Sequence, residues 1–200
     1  MSTDIPADRP DVPADDALPG LPDDAFAHDG LITKRHVRAG AFAFLRPRPG
    51  ELLWDVGAGS GAVGVEWCRA ASGARAIGVE RDPVRAARAR ENAERFGADV
   101  TIVEGDAAGV LPTLPTPDAV FVGGGGSAEV VGAAWEALRP GGRIVVHAVT
   151  LETEAEAVDR YRRHGGSLTR IAVETAQPIG RFLAWTPARA IVQWAATKDA

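Results

Sequence analysis

A single cysteine, Cys68, stands among 200 residues, which excludes an internal disulfide framework. One thiol is compatible with a reducing compartment. Its place between Trp67 and Arg69, in an expected helix, reads as a small buried side chain rather than a nucleophile. Long apolar runs are also missing, so no segment is expected to span a bilayer. The first residues carry acids and prolines where a secretory leader needs a basic and then an apolar stretch, and the cytoplasm is the expected setting. His28, His36 and His164 have no spacing suited to a metal site, with or without Cys68, so no metal is expected. Tyr161 is the only tyrosine and has no lysine near it in sequence, which argues against a tyrosine–lysine dehydrogenase.

What is present is the composition of a globular protein. Apolar residues make up 46% of the chain, and its length suits one domain with a sizeable core. The net charge of −5 conceals an asymmetry. Residues 1–30 hold eight aspartates, whereas residues 31–50 hold Lys34, Arg35, Arg38, Arg46 and Arg48 without an acid. That basic stretch is either a solvated helix face or a receiver for a polyanion, and nucleic acid is not expected because no extended basic stripe accompanies it. Residues 1–22, rich in Pro, Asp and Ala, read as a disordered tail. Residues 23–200 read as one domain that begins with a helical segment over 23–48.

Beyond residue 50 strands and helices alternate. Strands are expected at Glu51–Val56, Ala74–Glu80, Val100–Glu104, Asp118–Val122 and Gly142–Val149. Helices are expected at Ala62–Ala71, from Pro83 to about Phe96, at Ala128–Leu138 and at Glu152–His164, after a first helix over Lys34–Phe44. Two late strands, Leu168–Thr175 and Ala190–Ala196, suggest an antiparallel addition. The alternation predicts an α/β fold with a mostly parallel sheet covered on both faces.

The chemistry concentrates at Asp55-Val-Gly57-Ala-Gly59-Ser-Gly61, which closes the first strand and opens the next helix. Glycines there allow a tight turn and close backbone approach to a ligand. Their spacing alone also satisfies a loose dinucleotide fingerprint. Asp55 separates the two readings. A carboxylate at this turn repels a pyrophosphate but favours the ammonium and sulfonium of S-adenosylmethionine. Glu80, ending the second strand, can accept hydrogen bonds from ribose hydroxyls, and Asp106 with Ala107 is placed to meet an adenine edge. Each also has a plainer reading as strand-end or turn chemistry.

With these residues in view, a resemblance emerges. Asp55–Gly61, Gly78-Val-Glu80, Glu104-Gly-Asp106 and Leu138-Arg-Pro-Gly-Gly142 resemble the class I S-adenosylmethionine-dependent methyltransferases. Asp29–Arg38, Val120–Gly126 and His147–Thr153 narrow it: these segments are similar to the decarboxylating C15-methyltransferases of the corrin pathway, free-standing or as the C-terminal half of a fused C5,C15-methyltransferase. The resemblance covers about residues 22–197. It implies a Rossmann-like seven-stranded sheet, methylation of C15 of a precorrin-type ring, loss of CO2 from the C12 acetate and assembly as a homotetramer. With no partner domain before residue 22, a separate C5-methyltransferase is expected. His147 stands where many relatives have a small or amide residue.

The expected roles follow. Lys34 and Arg38 share a helix face and are expected to pair with substrate carboxylates, with Arg35 offset from them. Thr33 is either a helix N-cap or, as the resemblance suggests, a neighbour of the sulfonium. Gly123, Gly124 and Gly125 clear space for a flat macrocycle, and Thr150 lies in the segment implied to meet it. His147 and Glu152 are candidates for proton transfer, against the plainer readings of a satisfied strand histidine and a helix-start acid. The alternatives are a class I methyltransferase with another small-molecule, protein or RNA acceptor, and a non-catalytic nucleotide-binding protein. The aromatic–proline motif used for amino-methylation is absent after the fourth strand, where Val122-Gly123-Gly124 stands.

Overall fold

The computed structural model describes residues 19–199. Its centre is a seven-stranded sheet in the order β3-β2-β1-β4-β5-β9-β6. The strands β1 (Leu52–Val56), β2 (Arg75–Glu80), β3 (Val100–Glu104), β4 (Ala119–Val122) and β5 (Arg143–Ala148) are parallel. β9 (Ile191–Thr197) runs antiparallel between β5 and β6 (Ser167–Ile171). The order reverses between β1 and β4. In open parallel sheets, ligands bind beyond the strand C-termini at such a reversal.

Residues alternate faces along each strand, and both faces are apolar because helices cover both. Leu53, Ala119, Phe121 and Val145 meet α1 (Arg35–Leu45) and α2 (Ala62–Ala70) through Ala41, Phe42, Leu45, Val63 and Trp67. Trp54, Val56, Val120, Val122, Ile144 and Val146 meet α5 (Ala128–Ala137) and α6 (Leu151–His164) through Val131, Ala134, Trp135 and Ala157. α3 (Pro83–Arg95) seats Ala86 and Ala89 on Ile102 of β3. The short α4 (Ala107–Val110) follows β3. Helix starts are fixed by side-chain oxygens: Asp82 accepts from Val84 N and Arg85 N with Pro83 behind it, Ser127 accepts from Val130 N, and Thr150 forms a capping box with Thr153. Each such cap contributes about 1 kcal/mol.

The parallel strands and their helices lie within a residue or two of the expected spans. The last strand, β9, likewise falls within a residue of the expected Ala190–Ala196 and is antiparallel as expected, but the strand before it differs. In place of one strand over Leu168–Thr175, the chain breaks after Ile171, and Glu174–Ile179 (β7) pairs with Phe182–Pro187 (β8) as a separate hairpin closed at Gly180-Arg181. Neither hairpin strand packs on the main sheet, so neither carries a burial alternation that sequence could reveal.

The expected tail over 1–22 falls, for residues 1–18, outside the described residues. Residues 20–22 belong to the fold. The N–H groups of Gly20 and Leu21 donate to the Glu66 carboxylate at 2.8 and 3.0 Å, and the Leu21 side chain is buried. The same carboxylate takes Arg38 Nε at 2.8 Å. Arg38, 0% exposed, directs its remaining donors to Leu21 O (2.6 Å), Asp23 Oδ1 (3.2 Å) and Thr33 O. One guanidinium thus joins α1, α2 and the segment that precedes them.

Removing one member of a buried pair leaves the other charge uncompensated. Glu66→Leu is therefore expected to cost about 3–5 kcal/mol in urea unfolding at pH 7, and Arg38→Met/Glu66→Leu together is expected to recover most of that loss. An equal loss in both variants would show that the pair itself is not the source.

Candidate active site

The glycine loop joins β1 to α2 at the C-terminal edge of the sheet, beside the reversal point. Gly57, Gly59 and Gly61 all have positive φ, at 72, 57 and 72°. One of these positions also has no room for a side chain, and a second is tight. A Cβ on Gly57 would stand 2.6 Å from Gly124 O, and one on Gly61 would stand 3.2 Å from the Ala89 side chain. The loop therefore packs backbone on backbone against the turn after β4. That turn is open on its outer side: Gly124 and Gly125 have nothing within 4 Å of a notional Cβ, whereas Gly123 sits on the Phe121 ring. A side chain would meet open space at Gly124 and Gly125 but not at Gly123.

Glu80 is buried at the end of β2. Oε2 accepts from Gly59 N at 2.8 Å and Oε1 from Asp82 N at 3.0 Å. Each oxygen keeps a further lone pair for a hydroxyl donor. Asp106 caps α4 by accepting from Ala108 N at 3.1 Å and is exposed, and Ala107 packs half-buried against the core beside it.

The structure corrects the role expected of Asp55. Its side chain is 1% exposed and turned onto Gly64 N, 3.0 Å from Oδ2, rather than into the open site. Burial pushes its pKa up to about 7, the Gly64 N–H working against that rise and the Glu80 charge adding to it. Asp55 therefore acts on the loop through the backbone and through its charge.

Arg38 is likewise corrected. Its donors are committed inside the protein, and no substrate carboxylate can reach them. The shared helix face with Lys34 does not exist as expected, because α1 starts at Arg35 with Lys34 at the cap position. Lys34 and Arg35 remain exposed, with Lys34 Nζ 4.0 Å from Asp23 and Arg35 N donating to the same carboxylate. Thr33 is not the N-cap. Asp23 satisfies the first turn from outside, and Thr33 contributes its carbonyl to Arg38.

His147 is corrected from a catalytic candidate to an internal one. It is 6% exposed, lies edge-on to Phe121 with 4.9 Å between ring centres, and its Nε2 is 2.9 Å from Oε1 of Gln193, its register partner on β9. Desolvation lowers its pKa to about 4, so it is neutral at physiological pH. Glu152 and Thr150 are exposed at the start of α6, where a backbone N–H and then the Thr150 hydroxyl hold the Glu152 carboxyl below its usual range. Cys68 is half-buried, its thiol pushed up to about 12 by burial, in keeping with a structural reading.

Sequence reasoning missed Asn92, and took Asp29 only as the first residue of the Asp29–Arg38 segment. Asn92 is a buried amide in the middle of α3, and Asp29 bridges to Arg85 Nε (2.9 Å) and Arg88 (3.4 Å). A polar residue on the apolar face of α3 was the available signal.

Comparisons with known proteins place the chain in a family. The family model described as a precorrin methyltransferase domain matches residues 24–198. A Sinorhizobium protein named precorrin-6Y C(5,15)-methyltransferase [decarboxylating] is 51% identical over 181 residues, covering 90% of this chain and 44% of that protein. The chain thus spans less than half the length of that relative. A Pyrobaculum calidifontis protein named "Probable cobalt-precorrin-6B C(15)-methyltransferase (decarboxylating)" is 40% identical over 179 residues, covering 85% of this chain and 91% of its own length. The solved C-terminal domain of precorrin-6Y C5,15-methyltransferase from Rhodobacter capsulatus superposes with a TM-score of 0.86 at 47% identity, covering 91% of this chain and 99% of that one. The fold is the class I methyltransferase fold expected from the sequence.

Asp55 gives the site a pH signature. A carboxyl whose folded pKa lies above its ordinary 3.8 adds stability that is complete below that value and is lost as pH rises through about 7. The effect is on the order of a few kcal/mol. Thermal unfolding of the ligand-free protein is expected to show a falling midpoint from pH 5 to 8, and Asp55→Asn, which keeps the Gly64 bond, is expected to flatten it. Parallel profiles would refute the assignment.

Proposed function

This chain belongs to the precorrin methyltransferase family, and from that premise we propose that it transfers a methyl group from S-adenosylmethionine to C15 of a precorrin or cobalt-precorrin macrocycle, with decarboxylation of the C12 acetate, toward cobalamin. The observation that carries this reading is the match over 24–198, which includes the glycine loop, the β4 turn and the segment after β5. The correspondence with the Pyrobaculum protein over 91% of its length supports C15 as the position.

The residues fit the cofactor. The loop presents backbone, with Gly59 half-exposed, and the carboxylates beside it, Asp55 and Glu80, suit a cation rather than a pyrophosphate. We assign Glu80 to the ribose hydroxyls, Asp106 and Ala107 to the adenine side, the backbone of Gly57, Gly59 and Gly61 to the cradle and Thr33 to its neighbourhood. Asp55 contributes charge from beneath. When bound, the cofactor supplies an electrophilic methyl on a sulfonium.

The protein's task is then mainly positional. The glycine loop and the β4 turn would hold an electron-rich bridge carbon of the ring next to the methyl that a bound cofactor would supply. Alignment itself supplies much of the rate. The open turn at Gly124 and Gly125 admits a flat ring beside the loop, and Lys34 and Arg35 are assigned to its peripheral carboxylates. For decarboxylation, the C–C electron pair passes into the conjugated ring as CO2 leaves, and the former side-chain carbon takes a proton. Glu152, exposed and ionised beside Thr150, is the acid–base candidate that stays accessible, since His147 is enclosed.

A homo-oligomer, with a tetramer as the expected form, is proposed through the β7–β8 hairpin. An isolated two-stranded hairpin is marginal in water. Here one face pairs Ala176 with Trp185 and Pro178 with Leu183, and Trp185 and Leu183 are 70% and 73% exposed. A second copy of the same apolar face is the self-complementary cover. Among the described residues no helix is long and apolar enough to cross a membrane. A cytoplasmic setting completes the proposal.

Mass spectrometry of a reaction with labelled S-adenosylmethionine and the C5-methylated tetrapyrrole, metal-free and cobalt forms in parallel, is expected to show gain of one methyl and loss of CO2. Methyl gain alone would remove the decarboxylase half, and no change with either form would point to another acceptor. Light scattering is expected to show Trp185→Asp shifted to a smaller assembly than the parent, and an unchanged mass would exclude the hairpin as the interface.

A further inference from the structure

The glycine loop and the segment that crosses it are joined by one side chain. Asn92 lies on the buried face of α3, 1% exposed. Its Nδ2 donates to Ser60 O of the glycine loop at 2.8 Å and to Ala27 O at 2.9 Å, while Oδ1 accepts from Ala27 N at 2.8 Å. Both of its N–H groups are used, and Ala27 is bound in both directions, as a strand partner would bind it.

Around this point the N-terminal segment is tied to α3 by Arg95, which donates to Ala25 O, and by Asp29 with Arg85 and Arg88. From Ala27 to Thr33 the chain passes over the loop. Leu31 O lies 3.5 Å from where a Cβ of Gly59 would stand. Within the span 28–32, the hydrogen bonds found among the described residues are local for the backbone: Gly30 N to His28 Nδ1 and Leu31 N to Asp29 Oδ1. At its far end Arg38 holds Thr33 O. The span is a strap fastened at both ends, crossing the loop that the proposed function assigns to S-adenosylmethionine.

We propose that Asn92 is a positioning residue for cofactor binding: it sets the height of the strap 28–33 over Gly59, so that strap and glycine loop receive the cofactor as one preorganised surface. This rests on the cofactor assignment above. A residue that merely filled space could be replaced by one of equal volume. Asn92 cannot, because two donors and an acceptor in one plane connect two separate backbone segments. Aspartate keeps the bond from Ala27 N and loses both donations.

Calorimetric titration with S-adenosylhomocysteine, together with amide hydrogen exchange of the full chain, tests this. The parent is expected to bind and to gain protection over residues 28–33. Asn92→Asp is expected to bind about tenfold more weakly, the equivalent of one or two hydrogen bonds, and to lose that gain while β1, β4 and β5 stay protected. Affinity within twofold of the parent in a folded variant would overturn the inference, as would a parent whose strap gains no protection on binding. Should Asn92→Asp fail to fold, Asp29→Asn releases the strap on its exposed side without entering the core. It is expected to weaken binding and to speed strap exchange, and no change in either would also overturn the inference. A parent that binds no S-adenosylhomocysteine would instead remove the cofactor assignment itself.

Discussion

A guanidinium that has left water must find all of its hydrogen-bond partners inside the protein, and Arg38 organises the N-terminal third of this molecule by meeting that demand. Glu66 answers its charge from α2, and the carbonyls of Leu21 and Thr33 and the carboxylate of Asp23 answer its remaining donors. These contacts reach residues that lie far apart along the chain. They fix where the N-terminal segment docks, how α1 begins and, through Thr33, where one end of the strap over the glycine loop is fastened. The face of the ring of Phe26 lies over the same guanidinium at 5.2 Å, closing the site to water.

The glycine loop is shaped by the same scarcity of space. Gly57 abuts Gly124, and Gly61 abuts Ala89 of α3, so the turn after β4 and the helix after β2 both set the loop's position. Glu80 reaches back to Gly59 N from β2, and Asn92 reaches Ser60 O from α3. A cradle made of backbone needs such external supports, since it has no side chains of its own to lock. The buried carboxylate of Asp55 lies beneath it, where desolvation makes its charge costly and the Gly64 N–H offsets part of that cost.

The parallel strands were legible because both of their faces are buried, so apolar residues run continuously between glycine and proline punctuation. β3 was read to the residue at Val100–Glu104. The β7–β8 hairpin was not legible, because its side chains meet no face of the sheet and Pro178, Gly180 and Pro187 break any strand pattern. His147 and Asp55 show the same limit in the site. Each occupies a strand end where chemistry is expected, and each turns inward to a partner contributed by another element, Gln193 on β9 and the backbone of α2.

The sequence by itself determined the fold class, the glycine loop and the acid at the end of β2, because these follow from local periodicity, from the conformations only glycine adopts and from residue spacing within a single βα unit. The match to the precorrin methyltransferase family was likewise readable in short segments along the chain. Only the tertiary structure decided which charged residues face the solvent. Lys34, Arg35 and Arg38 are indistinguishable as cations in sequence, yet Arg38 is buried because Glu66, twenty-eight positions away, and the Leu21 carbonyl converge on it. Side-chain direction and desolvation depend on neighbours brought together from distant elements, and those neighbours exist only once the chain has folded.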